Sequence, residues 1–221
     1  MVAGTVSRRV PSRGRAVADS LNFVASASVD QLARVIDAMG GLVAGIRDDE
    51  WTAQTPCTDW NVRQLVNHFV GGNHMFAAIL CGDARTPEEL EQFRRDDHLD
   101  SDPVGGYRRS GRALLDAFSE PGVLDETFPT PIGVAPGNAV VHLRITELLV
   151  HGWDLARATS QPSPFPDDIA EQALQFTRAR LPDVPPDRRP FAPPQPVADD
   201  APAIDRLAAC LGRRVAGAAT T

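Results

Sequence analysis

The chain has 221 residues, of which 43% are apolar and 23% are charged, so it is long and apolar enough to bury a core of its own. Its 22 basic residues are all arginine, and it has 29 acidic residues. The resulting net charge of −7 argues against a general nucleic-acid binder or a binder of anionic membranes. The absence of lysine excludes chemistry through a lysine Schiff base.

Cysteine use and hydropathy favour a cytoplasmic protein. The three cysteines, Cys57, Cys81 and Cys210, are scattered and form no C-x-x-C motif, so we expect neither a disulfide framework nor a cysteine-type zinc site. No run of about 18 apolar residues occurs, and we therefore expect no membrane-spanning segment.

Residues 1–27 are predicted to form a disordered N-terminal tail. Four arginines followed by "ASA" weakly resemble an export signal, but polar residues interrupt the apolar stretch that such a signal needs. A start codon placed too early is the alternative explanation for this tail.

The first two helices are predicted from apolar residues at helical spacing. The first covers residues 28–46, with a Gly40-Gly41 pair that weakens or bends its middle. After the loop "TPCTDW", in which Thr58 or Asp59 would be the cap, the second covers residues 60–80. His68 lies at the edge of its apolar stripe, and a histidine at such a position is by itself more typical of packing than of ligand binding.

The rest of the chain continues as helices and loops. We expect a short exposed helix in the polar segment 82–100, helices at 103–120, 137–159 and 167–181, and a short one at 203–214. Segment 128–140 reads as a Pro/Gly-rich loop that could include one extended stretch, and eight prolines make 182–202 a connector without regular structure. With no convincing strand, the prediction is an all-α four-helix bundle at 28–182, followed by a Pro-rich connector and a short C-terminal helix at 183–221.

One helix carries polar residues on its apolar stripe. Glu147, His151 and Asp154 recur at spacings of four and three, within about 60° of one another on a helical wheel. A buried carboxylate must be paired, protonated or bound to a cation. Two explanations stay open at this point: an ion pair with Arg144, which is close on the wheel, or a shared metal ion.

The second helix strengthens the metal explanation. A bundle would bring His68 into the same core, and two imidazoles with one carboxylate are typical of a catalytic divalent site with open positions. Asp154 would either accept the free ring N–H of a ligand histidine or pair with an arginine. Of the other histidines, His74 and His98 are predicted at the surface, and His142 on another side of its helix.

Two segments, "TPCTDWNVRQLVNHFVGGN" and "ITELLVHGWDLARAT", resemble the DinB-like metal-binding bundle superfamily. Within it they are similar to the branch related to the N-terminal domain of mycothiol-dependent maleylpyruvate isomerase, which is common in actinobacteria. The resemblance covers about residues 28–214 and implies a four-helix bundle with a zinc or nickel ion. Matched by position, the ligands that it implies are His68, Glu147 and His151.

The resemblance also implies a reaction class. Characterised relatives are isomerases or transferases that use a low-molecular-weight thiol such as mycothiol, and a metal ion would lower the pKa of that thiol. We therefore expect an S-transferase acting on a small electrophile, with Asp154 and Arg144 orienting a ligand or binding the thiol. The full isomerase has a further C-terminal domain that this chain does not match, so isomerisation of maleylpyruvate itself is not expected.

Several alternatives remain beside this prediction. The bundle could bind metal without catalysis, as a regulatory or stress-associated protein, or it could be purely structural, with the trio paired to arginines. Trp60 is expected in the core, Trp153 between helices, and Cys57 as either a small buried side chain or a catalytic thiol. A homodimer is also expected, because bundles of this type often pair.

Overall fold

A computed structural model describes residues 13–83, 86–99, 101–131, 133–180 and 191–215, with the backbone alone at residues 13–27 and 87. These residues form seven helices and one two-stranded sheet. In the part of the chain described, no helix is both long and apolar enough to cross a membrane.

Helix α1 spans Arg13–Ala44 and begins earlier than the residue 28 that we expected. It continues through Gly40 and Gly41, because Leu32, Met39 and Val43, which lie on either side of the pair, hold the helix against the core. The predicted disordered tail falls partly on residues 1–12, which lie outside the described residues, and it stays a prediction.

Helix α2 spans Val62–Leu80, and its start differs from the expected cap at Thr58 or Asp59. Asn61 is the N-cap: its side chain accepts from the backbone N–H of Gln64, whose own side chain accepts from the N–H of Asn61. This reciprocal pair is a capping box, and it fixes the direction in which the helix leaves the preceding loop.

Two helices and a hairpin lead to the site-bearing helix. Helix α3 (Pro87–Arg95) lies against α2, and α4 (Pro103–Phe118) follows. Strands β1 (Thr127–Thr130) and β2 (Gly133–Pro136) then pair antiparallel, with Thr127 opposite Pro136. The segment predicted as a loop with at most one extended stretch is therefore a small hairpin of two strands. Its backbone hydrogen bonds join residues close in sequence and do not depend on an alternating apolar pattern.

Helix α5 spans Gly137–Ala158, as predicted to within one residue, and is buried on most of its circumference. Gly137 at its start is required by close approach, because a Cβ there would lie 2.1 Å from the carbonyl oxygen of Val123. Helices α6 (Asp167–Arg180) and α7 (Ala203–Cys210) follow, and the described part of the connector, residues 191–202, contains neither helix nor strand.

The four long helices α1, α2, α4 and α5 form a ring in which α1 contacts α4 and α5, and α2 also contacts α4 and α5. The core lies inside this ring, and the all-α prediction is confirmed. Helices α6 and α7 pack on each other and on α5. Helix α5 is thus covered from two sides, which accounts for its nearly complete burial.

Candidate metal centre

The three predicted ligands lie together between α2 and α5. One ligand atom each of His68, Glu147 and His151 can be chosen so that all three atoms lie within 4.8 Å of one another. His68 Nε2 is 3.0 Å from Glu147 Oε1, and these two side chains are 30% and 23% exposed. Two imidazoles and a carboxylate at such separations suit a divalent transition metal, and their exposure leaves one side of the cluster open.

Arg144 holds the other oxygen of Glu147. Its Nη1 donates to Glu147 Oε2 at 2.5 Å, its Nη2 donates to Asn73 Oδ1 at 2.6 Å, and the side chain is fully buried. Gly72 makes room for it, because a Cβ at this position would lie 3.0 Å from Nη1. Burial alone would raise the pKa of Glu147, but Arg144 and His68 outweigh burial and hold that pKa well below its usual range.

His151 lies deeper than His68 and has its own carboxylate partner. Its Nδ1 is 3.2 Å from Asp154 Oδ2, and both residues are buried. Asp154 also accepts from Arg213, so both contacts that we considered for this carboxylate occur together. Burial lowers the pKa of His151 despite the opposing effect of Asp154, which favours the neutral imidazole that a metal ion requires.

Trp60 and Trp153, two of the three tryptophans, differ from each other in position. Trp153 packs between helices as predicted, with Nε1 donating to Asp205 on α7 at 2.6 Å. Trp60 was expected in the core, but it is half-buried and stacks on the His68 ring with the ring centroids 4.1 Å apart. It also meets the edge of His151 at 5.6 Å, so it forms a wall of the cluster.

Cys57 lies on the other side of His151. A thiol, an imidazole and a carboxylate from Cys57, His151 and Asp154 form a second group within 4.8 Å. Arg213 donates to both oxygens of Asp154, which makes this second group a poor cation site. Burial raises the pKa of Cys57 although Arg213 acts to lower it, so the thiol is protonated at neutral pH and does not resemble an activated nucleophile.

The remaining histidines lie away from the cluster. His142 faces another side of α5, as predicted, and stacks on Phe176 of α6 with the ring centroids 5.1 Å apart. The surface prediction for His74 and His98 was wrong, because both are half-buried. His98 lies between α3 and α2, with Nε2 2.8 Å from the carbonyl oxygen of Phe93, a contact that charge patterning did not reveal.

The cluster opens into a cavity of about 760 Å³ between α2 and α5. Apolar side chains line much of the cavity, and the end of α3, the turn of the hairpin and Phe191 contribute to its wall. A volume of this size is within the range of small-molecule sites. The apolar lining residues are Trp60, Met75, Phe76, Pro131, Leu143 and Phe191.

Comparison with known proteins identifies the family. Residues 32–156 match the profile of the mycothiol maleylpyruvate isomerase N-terminal domain. The chain belongs to this family. It is also 34% identical over 183 residues to proteins described as uncharacterized from two Mycobacterium tuberculosis strains, CDC 1551 / Oshkosh and ATCC 25618 / H37Rv, covering 82% of this chain and 95% of each relative.

A solved structure supports the fold. The crystal structure of a histidine-to-alanine mutant of the mycothiol-dependent maleylpyruvate isomerase matches with a TM-score of 0.57 and 13% identity, over 68% of this chain and 67% of that one. The resemblance to the isomerase-related branch of the DinB-like superfamily is thus confirmed.

Part of the site lies outside the segment that matches the mycothiol maleylpyruvate isomerase N-terminal domain. Phe191 and Arg213 come from the C-terminal segment, and sequence reasoning did not find them. Asn73, which holds Arg144, was missed as well, although a polar residue on the inward side of α2 was a usable signal.

Proposed function

We propose that this protein is a divalent-metal-binding bundle that acts as a mycothiol-type thiol S-transferase on a small electrophile. The observation that supports the proposal most directly is the cluster of His68, Glu147 and His151 in the lining of a cavity of about 760 Å³. Membership in a family named for a mycothiol-dependent enzyme supports the choice of thiol.

In this proposal the three clustered side chains hold the ion. Glu147 Oε1 faces the cluster, while Oε2 accepts from Arg144. The positive charge of Arg144 offsets the negative charge of the carboxylate. When bound, a zinc or nickel ion would supply a positive charge that keeps a thiol deprotonated at neutral pH. The neutralised carboxylate favours an anionic partner at this ion, because the three ligands together with Arg144 contribute no net negative charge.

Other residues orient and shield the site. Asp154 accepts the ring proton of His151 at Nδ1, which leaves Nε2 as the ligand nitrogen. Trp60 covers the face of the His68 ring and makes an edge contact with His151, and Phe191 lies 6.2 Å from the His151 ring, measured between centroids. These rings exclude water on the protein side of the cluster, so a thiol and an electrophile would approach from the cavity.

Two alternatives to a metal-dependent enzyme remain. Glu147 is hydrogen-bonded to both His68 and Arg144, so the trio is also a self-consistent ion-pair network that needs no metal. A bundle with a bound ion but no catalysis, regulatory or stress-associated, is the other alternative. The open side of the cluster favours an enzyme over a closed storage site.

Metal content separates these functions. We expect near-stoichiometric zinc or nickel in untagged wild-type protein by elemental mass spectrometry, and its loss in His68→Ala, Glu147→Ala and His151→Ala. His142→Ala is the matched control, because His142 lies on the same helix but faces Phe176. A wild type that stays metal-free after incubation with zinc and nickel would contradict the metal site and leave the ion-pair network.

Catalysis is tested next with the metal-loaded protein. We expect it to accelerate consumption of mycothiol in the presence of a small electrophile such as monochlorobimane, and the His68→Ala variant to lose this acceleration. A loaded protein that accelerates no pairing of thiol and electrophile would favour the non-catalytic alternative.

A further inference from the structure

Arg213 reaches the metal-binding helix from the C-terminal segment, 59 residues away from Asp154 in sequence. The chain turns at Gly212, whose φ of +86° favours glycine, and the backbone N–H of Arg213 donates to the carbonyl of Ala208 at 2.9 Å. The arginine is 8% exposed, so the end of α7 places its guanidinium in the protein interior.

The guanidinium binds Asp154 as a two-pronged fork. Nε donates to Oδ1 at 3.2 Å and Nη2 donates to Oδ2 at 2.8 Å, while Nη1 donates to the carbonyl of Leu211 at 2.9 Å. Each nitrogen of the group therefore has a protein partner. These bonds use three of its five N–H donors and fix the guanidinium against Asp154, the residue through which it contacts His151.

Asp154 connects the guanidinium to His151. The carboxylate is fully buried, and beside the fork its Oδ2 lies 3.2 Å from His151 Nδ1. A carboxylate held by a guanidinium can only accept hydrogen bonds, so the proton of a neutral ring stays on Nδ1. The lone pair of His151 then lies on Nε2, the nitrogen left for the cluster with His68 and Glu147.

We propose that Arg213 is a positioning residue for His151: its fork on Asp154 fixes the plane of that carboxylate and thereby the tautomer and orientation of the ligand ring. The consequence for metal affinity rests on the proposed function, whereas the effect on the ring does not require an ion. Phe191 supports the arrangement from the same segment, since the Arg213 guanidinium lies 5.2 Å from its ring centroid.

The test compares three arginine variants. Arg213→Met removes both hydrogen bonds to Asp154. Arg213→Lys keeps the positive charge but cannot donate to both carboxylate oxygens in the same planar geometry. Arg157→Met is the matched control, because Arg157 also joins α5 to α7, by an exposed pair with Asp205 outside the cluster. The readouts are the ring ¹⁵N chemical shifts of His151 in metal-free protein and the affinity for Zn²⁺ by chelator competition.

We expect wild type and Arg157→Met to show His151 protonated at Nδ1, and Arg213→Met to show a mixture of tautomers, because the released carboxylate can turn away from the ring. Zn²⁺ affinity should fall about 10- to 100-fold in Arg213→Met, the range for losing a partner of a metal ligand. Arg213→Lys should give intermediate values for both readouts.

The inference is overturned if Arg213→Met retains the wild-type ring shifts and a Zn²⁺ affinity within about twofold of wild type. If Arg213→Met does not fold, Arg213→Lys is the deciding variant. Wild-type ring shifts of His151 together with a wild-type Zn²⁺ affinity in Arg213→Lys would then overturn the inference. A wild type that takes up no Zn²⁺ contradicts the proposed function, and the ring shifts alone then decide the role of Arg213.

Discussion

At the scale of single residues, two buried arginines define the chemistry of α5. Arg144 holds Glu147 and Arg213 holds Asp154, and both guanidinium groups are buried. A buried carboxylate without such a partner would lose its solvation and its charge. The arginines therefore let α5 carry two carboxylates on its inward side.

Replacing Arg144 should be costly even in the absence of metal. In Arg144→Met, Glu147 loses one partner and the oxygen of buried Asn73 loses its donor, so we expect a loss of about 1–3 kcal/mol in unfolding free energy by urea titration. Arg34→Met is the control, because its pair with Asp168 is more than half exposed on both sides and should contribute at most about 1 kcal/mol. Equal losses in the two variants would contradict this account of Arg144.

The sequence revealed part of this site for a physical reason. Glu147 and His151 share a helix, so their spacing alone placed them on one side, and His68 lies on a second helix with a clear inward stripe. Arg213 lies after a Pro-rich connector, and the direction in which such a segment returns depends on tertiary contacts that no local periodicity encodes.

At the scale of helices and strands, α5 is the element on which the others depend. It contacts α1 and α2 in the ring and α6 and α7 outside it. The helices were predictable because their apolar spacing is regular, and their bounds hold to within a few residues apart from the start of α1. The hairpin was not predictable in the same way, because its pairing relies on backbone bonds between Thr127–Thr130 and Gly133–Pro136.

The contact between α5 and α6 should depend on pH through His142. Burial lowers the pKa of His142 from its ordinary value of 6.5, and its Nε2 lies 3.2 Å from the hydroxyl of Ser28. The folded state thus favours the neutral ring, so this contribution is complete above pH 6.5 and is lost as the pH falls through 6.5 toward the folded-state pKa.

The His142→Gln variant isolates this contribution. We expect its unfolding free energy to fall less than that of wild type between about pH 8 and about pH 5.5, because a side chain that does not titrate cannot contribute to the difference. Urea titrations at the two pH values measure it. The same pH dependence in both proteins would show that His142 is not the group responsible.

Substitution by alanine should have opposite effects on stability at two helical glycines, because only one of them is closely packed. A Cβ at Gly152 on α5 would lie 2.2 Å from the Phe165 ring and 3.2 Å from Met39 Sδ, so Gly152→Ala should destabilise by about 1–3 kcal/mol. At Gly41, exposed on α1, a Cβ would meet nothing within 4 Å, so Gly41→Ala should stabilise by about 0.5–1 kcal/mol. Effects of the same sign, measured by thermal or urea unfolding, would contradict this packing.

At the scale of the whole molecule, the C-terminal segment belongs to the site as well as to the surface of the bundle. Asp205 on α7 accepts from Trp153, and the N–H of Ala203 at the start of α7 donates to Asp167 on α6. Ile204, Leu207 and Ala208 are buried against the core. The segments on the two sides of the predicted boundary at residue 182 therefore pack together, and the boundary itself stays a prediction.

This continuity predicts a single unfolding transition. Leu207→Ala, at a fully buried position, should lower the global unfolding free energy by about 2–5 kcal/mol without splitting the urea curve. Leu90→Ala on the outlying α3, only partly buried, should have a smaller effect. A separate early transition in Leu207→Ala would instead show that the C-terminal helices melt independently of the ring.

The stacking of Trp60 on His68 gives this protein a built-in optical reporter. An indole whose ring centroid is 4.1 Å from that of an imidazole loses excited-state energy readily when that imidazole acquires a charge or binds a paramagnetic ion. Titration with Ni²⁺ or Co²⁺ should therefore quench the emission of Trp60, and Trp60→Phe, which retains Trp51 and Trp153, should lose most of that quenching. The occupancy of the site can then be followed continuously in solution, without a label or a known substrate.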